Sequence, residues 1–167
     1  MPTSDPGISE RQGFTLIEVL VVLLIMGLLA GVAGALVRPD DRGLLRLEAE
    51  RLAQLLDLAA AESRFTGNAI AWTADGSGYR FWRMREDVER SAPWSEILDS
   101  DLLRARALPQ GMLVSGLRVA DEPVHGAMRL AFAPHGPALP FSIEMSLGNA
   151  RYAVAASPIG ELSVSQR

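Results

Sequence analysis

Glu18 is the one charged side chain in a run of 24 residues, 14–37, of which 19 are apolar. A carboxylate at the centre of a membrane costs about 2.5–3.5 kcal/mol and less near the interface, so such a residue needs either solvent or a cation. Its place near the mouth of the run is compatible with solvent. A cation would come from a cut after Gly13, which frees the amine of Phe14 four residues before Glu18, about 6 Å along a helix axis. The same amine on a neighbouring copy would serve equally and would register one helix against the next. A carboxylate near a helix N-terminus also gains from the helix dipole. The chemistry on offer is processing and countercharge.

Other reactive side chains are sparse. His125 and His135 are the only histidines, and each stands among Gly and Pro in a turn-like stretch. Asp99-Ser100-Asp101 and Asp121-Glu122 supply oxygens but lack the ordered loop, Gly and closing Glu of a calcium hand, so no metal site is expected. The chain has no P-loop, G-x-G-x-x-G, G-x-S-x-G or H-E-x-x-H, and no catalytic residue or cofactor is expected. Arg80, Arg83 and Arg85 surround Trp82, with Arg104 and Arg106 further on. Strand alternation sets Arg83 and Trp82 on opposite faces, as in an amphipathic strand rather than a base-stacking platform. Trp94, beside Pro93, is the better candidate for a protein contact, with packing on its own core as the alternative.

Composition narrows the class. The 167 residues carry 20 acidic and 16 basic side chains, all the basic ones Arg, for a net charge of −4, and no cysteine. No basic block suggests a phosphate-gripping protein, so neither nucleic acid nor a small-molecule substrate is expected as partner. The absence of cysteine excludes a disulfide scaffold, a thiolate metal site and a cysteine nucleophile.

These residues must be positioned by the elements around them. Residues 19–37 hold no polar side chain, close to the ~20 that a helix needs to cross ~30 Å of hydrocarbon. A membrane anchor, a cleaved secretory signal ending at Ala33-Gly34-Ala35, and a buried core helix all compete. The run is long for a signal, the leader carries Asp5 and Glu10 against a single Arg11, and a core helix would need a polar face. Small residues at Gly27, Gly31 and Ala35, and at Ala30 and Gly34, recur every four and would permit close helix approach. Pro39 ends or kinks this helix near Val37.

Asp40 and Asp41 can cap a restart. Over residues 44–64, Leu45, Ala49, Leu52, Leu55, Leu56, Ala59 and Ser63 form one apolar stripe, which Gly67 and Asn68 stop. The period then changes to two. Strands are expected at 69–74, 79–85, 113–119, 128–132, 141–147, 151–156 and 162–164, with Asp75-Gly76-Ser77-Gly78 and Gly148-Asn149 as turns. Residues 86–110 fit neither period and read as a polar excursion. The layout is α+β: an N-terminal helix whose second half packs on antiparallel sheet.

The stretch Gly13-Phe14-Thr15-Leu16-Ile17-Glu18, between a short polar leader and an apolar run that begins after the cut, resembles the prepilin signature of type IV pilins and type II secretion pseudopilins. Phe132-Ala133-Pro134-His135-Gly136 before two closing strands, together with the length and the missing cysteine pair, resembles most the GspH minor pseudopilins. The same domain occurs in FimT-like minor pilins of type IV pili and DNA uptake. The resemblance implies cleavage after Gly13 by a prepilin peptidase, N-methylation of Phe14, and assembly guided by Glu18. It implies a leader at 1–13, a transmembrane and assembly helix at 14–37 in contact with membrane lipid, an amphipathic continuation at 38–66 and a β-rich periplasmic domain at 67–167. The expected protein is a single-pass inner-membrane subunit of the pseudopilus tip, partnered by major and minor pseudopilins. The leader departs from the pattern, being usually basic in this family.

Overall fold

A computed structural model describes residues 14–36, 40–85 and 93–167. Gly13 and the rest of the leader, the Val37 and Pro39 junction, and residues 86–92 lie outside the described residues. The chain divides into two units, one holding the first helix and the other running Asp40–Arg167.

Helix α1 covers Leu16–Leu36, about 30 Å of helix at 1.5 Å per residue. Every described side chain from Phe14 to Val32 is exposed, including a dozen large aliphatic ones. Water does not tolerate such a surface in a soluble helix. The described side chains of α1 end at Val32, and among the described residues no helix is long and apolar enough to cross a membrane; the helical backbone continues to Leu36.

Helix α2, Asp41–Thr66, starts where the Asp40 carboxylate accepts from the Gly43 N–H at 3.1 Å, satisfying one orphan donor of the first turn. A Cβ at residue 43 would come to 2.5 Å from that carboxylate, which would have to shift to admit one. The helix ends on Gly67, whose φ of 75° suits a left-handed cap and whose N–H donates to the Ser63 carbonyl. Leu45, Glu48, Ala49, Leu52, Leu56, Ala59 and Ser63 are buried along one face. All but Glu48 belong to the apolar stripe; Leu55, expected with them, is half-buried.

Among the described residues ten strands follow: β1 Ile70–Ala74, β2 Gly78–Met84, β3 Trp94–Glu96, β4 Arg106–Ala107, β5 Met112–Val119, β6 Glu122–Pro123, β7 Met128–Phe132, β8 Phe141–Leu147, β9 Ala150–Ala156 and β10 Leu162–Gln166. They form two antiparallel sheets, β3-β2-β1-β7 with β4 also on β2, and β10-β9-β8-β5-β6. Strand β8 alternates buried and half-buried residues without a break, as period two requires. A bulge between Val114 and Gly116 shifts the β5 register against β8. Helix α2 packs on both sheets, and the Ser63 hydroxyl donates to the Phe132 carbonyl at 2.9 Å. The shared core joins Leu45, Leu52 and Leu56 of α2 to Trp72, Phe81, Ile143, Met145 and Val154. Each large aliphatic or aromatic side chain so buried contributes about 1.5–3 kcal/mol.

The excursion at 86–110 is corrected in its described part. Residues 93–110 contain β3 and β4, and Ile97 and Leu103 are core residues. Their apolar positions are anchors set by tertiary contact, so no local period announces them.

Candidate functional site

Phe14 and Glu18 stand at the start of α1, Phe14 two residues before its first residue and Glu18 in its first turn. The Glu18 N–H donates to the Thr15 carbonyl at 3.0 Å and lies 3.3 Å from the Thr15 hydroxyl. Thr15 therefore caps the helix, and Thr15-Leu16-Ile17-Glu18 has the S/T-x-x-E spacing of a capping box. That pattern was available in the sequence and adds a local reason for a carboxylate at position 18. Both Phe14 and Glu18 are exposed, which leaves them reachable by other molecules. Gly27 and Gly31 face open space, with nothing within 4 Å of an added Cβ. No contact among the described residues requires glycine there. Ala33-Gly34-Ala35 lies within the helical backbone of α1.

The polar residues of the domain are turned mostly on the domain itself. Arg83 donates to Glu62 of α2 at 2.6 Å and to Asp99 at 3.0 Å. The hydrogen bond from Arg83 holds the Asp99 carboxyl below the usual carboxylate range. Arg80 lies 3.8 Å from Glu96. Arg106 approaches the buried Glu48 at 3.6 Å, with Arg51 on the other oxygen at 3.1 Å. Carboxylates on α2 and on the 93–107 segment thus occupy three of the arginines that interleave with aromatics along the chain. Arg85 and Arg104 are exposed. Trp82 donates to the Thr73 hydroxyl at 2.8 Å. Trp94 is half-buried on β3 under the Arg129 guanidinium, 4.3 Å from its ring centre, which is packing on its own sheet.

The sparse chemical groups remain apart. His125 and His135 are exposed in turns. Asp99 is engaged by Arg83, the Ser100 hydroxyl accepts from the Leu103 N–H, and the Asp121 carbonyl accepts from Arg118. Among the described residues no group of three or more His, Cys, Asp or Glu could hold a metal ion. Sequence reasoning missed Glu48, since a lone glutamate on a helix reads as solvated; only the opposing Arg106 reveals it. Tyr79, packed edge-on against Phe81, has a hydroxyl with no hydrogen-bond partner among the described residues, and burial pushes its pKa up to about 12.

An apolar, outward-facing helix with a capped acidic mouth, ahead of an α+β domain built on a second helix, defines a pilin-like subunit. Residues 8–34 match the prokaryotic N-terminal methylation motif. Residues 48–160 match the type II transport protein GspH, and the chain belongs to that family.

Solved structures share the fold. The minor pseudopilin EpsH from the type 2 secretion system of Vibrio cholerae superposes with a TM-score of 0.56 at 18% identity, over 76% of this chain and 98% of that one. A crystal structure of EpsH gives 0.58 at 13%, over 74% and 97%. The solution structure of E. coli GspH gives 0.56 at 15%, over 78% and 94%. Comparison with curated protein sequences finds no significant match.

Proposed function

We propose that this GspH-family chain acts as a minor pseudopilin of the type II secretion system, a structural subunit of the pseudopilus tip that takes part in assembly and protein export. One observation carries the reading: Phe14 and Glu18, which Gly13 precedes in the sequence, stand at the mouth of a helix whose described side chains are all exposed and almost all apolar. Such a helix is stable only in lipid or against other apolar helices. In this reading residues 14–37 first span the inner membrane once, with the globular domain in the periplasm. A prepilin peptidase then cuts after Gly13 and the Phe14 amine is methylated. Glu18 pairs with that amine, or with the amine of the adjacent subunit, as the helix leaves lipid for the filament formed with other pseudopilins. The chain itself performs no catalysis.

The arginine pairing within the domain favours this reading over a FimT-like role in type IV pili or DNA uptake, since Arg80, Arg83 and Arg106 are each drawn to a carboxylate of the chain.

Mass spectrometry of the mature protein tests the processing step, with N-methyl-Phe14 as the expected first residue. A mature chain that begins at Leu36 would instead mark a cleaved secretory signal. Glu18→Ala is expected to be processed normally and to enter the filament poorly. Normal incorporation and secretion by that variant would defeat the countercharge account.

A further inference from the structure

Strands β3 and β7 close one sheet, β6 and β10 the other. An unpaired edge offers main-chain donors and acceptors to any passing chain, and folded proteins blunt such edges with shortness, charge or proline. Strand β3 has three residues and includes Glu96, β6 has two and includes Pro123, and β7 carries Arg129. Strand β10, Leu-Ser-Val-Ser-Gln, has none of these protections and keeps an unbroken register with β9.

The direction of its free groups follows from its hydrogen bonds. The Arg167 N–H donates to the Arg151 carbonyl at 3.0 Å, and the Ser157 N–H donates to the Glu161 carbonyl at 2.9 Å. Main-chain groups alternate sides along an antiparallel strand. Residues 161, 163, 165 and 167 therefore face β9, while Leu162, Val164 and Gln166 turn their N–H and C=O outward. Among the described residues no strand pairs with that side.

We propose that β10 pairs with β10 of a second copy, antiparallel and centred on Val164, joining two five-stranded sheets across a two-fold axis. This register sets Val164 opposite itself, Leu162 opposite Gln166, Ser163 opposite Ser165 and Glu161 opposite Arg167. Glu161, Ser163, Ser165 and Arg167 share the exposed face, and among the described residues neither Glu161 nor Arg167 forms an ion pair within the chain. A slip of two residues in one direction puts Arg167 against Ile159 and Glu161 against Ser165. A slip in the other puts Arg167 against Ser163. Only the Val164-centred register joins both charges, once at each end. On the inner face, Leu162 and Val164 are half-buried against the core and gain cover from the partner strand. A contact of this length is weak in dilute solution and strengthens as the local concentration of copies rises.

The chain has no cysteine, so introduced thiols report without background. Two differently tagged full-length copies, one Ser163→Cys and the other Ser165→Cys, are expressed together and mildly oxidised. Directly opposite residues at this position are about 4.5 Å apart at Cα, inside the ~4.4–6.8 Å window of a disulfide, whereas like positions are diagonal at about 7–8 Å. The expected result is a mixed disulfide on the order of tenfold above the homodisulfide of either variant alone. Val164→Pro removes an outward N–H that β9 does not use and is expected to abolish the product, with circular dichroism confirming the fold. Should that variant misfold, charge reversal decides: Glu161→Arg in both copies lowers the yield about threefold, and adding Arg167→Glu restores it. Equal mixed and homodisulfide yields, a product unchanged by Val164→Pro in a folded chain, or a yield indifferent to charge reversal overturns the pairing.

Discussion

The two helices are similar in length and opposite in design. Helix α1 shows apolar side chains on every described side, and all of them are exposed; α2 buries one stripe, caps both ends and anchors two sheets. The same backbone geometry thus presents two kinds of surface. In α2, specificity is spread along the stripe, because each buried residue meets a particular neighbour in the core. In α1 the described side chains are all exposed, and the distinctive residues lie at the start of the run, at Phe14, Thr15 and Glu18, with Gly13 preceding them in the sequence.

The sharpest break of this contrast is at Gly13. A bulky substitution there is expected to abolish processing while leaving the unfolding midpoint of the globular domain unchanged, as read by mass spectrometry of the N-terminus beside thermal denaturation. Next in size, Leu52→Ala, at a site with no exposure, should cost about 2–5 kcal/mol in denaturant titration. Leu23→Ala in α1 should not alter the stability of the domain at all. If both variants behaved alike, the division between the helices would fail.

Tyr79 tests the sheet side of the α2 core. Its folded pKa of about 12 lies above the ordinary value of 10, so the folded state holds its proton longer than the unfolded one. The contribution is fully present below about pH 10 and is lost as pH rises from 10 to 12, up to about 2–3 kcal/mol. Tyr79→Phe should flatten that alkaline slope while changing stability little at pH 7, because the hydroxyl has no partner to lose. A smaller effect is expected at Glu48. Its replacement by alanine leaves the half-buried Arg106 without its carboxylate and should cost about 1–3 kcal/mol, whereas Arg46→Ala in the exposed pair Arg46–Glu50 should change stability far less. The ratio of these two losses measures how far burial, rather than charge alone, sets the worth of an α2 ion pair.

Much of the domain could be read from periodicity. The strand at 141–147 alternates cleanly, and it and the strands at 128–132 and 151–156 are observed within a residue of the expected bounds, because turn residues close their ends. Strands β3, β4 and β6 were not legible, being two or three residues long, too short for a period to show. Glu48 went unnoticed for a related reason: a helix pattern places a residue on a face but does not say what stands opposite. At the entrance to α1 the local pattern was enough, since Thr15 and Glu18 act within one turn.

What the residues determined unaided was everything local: an apolar run with an acidic mouth, a capped amphipathic helix and a series of alternating strands. Covalent spacing and side-chain chemistry act over a few residues, and a linear text records them fully. Tertiary structure alone decided which charges are taken up, by setting Arg83 between Glu62 and Asp99 and Arg106 over Glu48, and which edge stays open, by placing β10 last in its sheet. Both depend on residues far apart in the chain, where Coulomb attraction and main-chain hydrogen bonding act only once the sheets and α2 have brought them together.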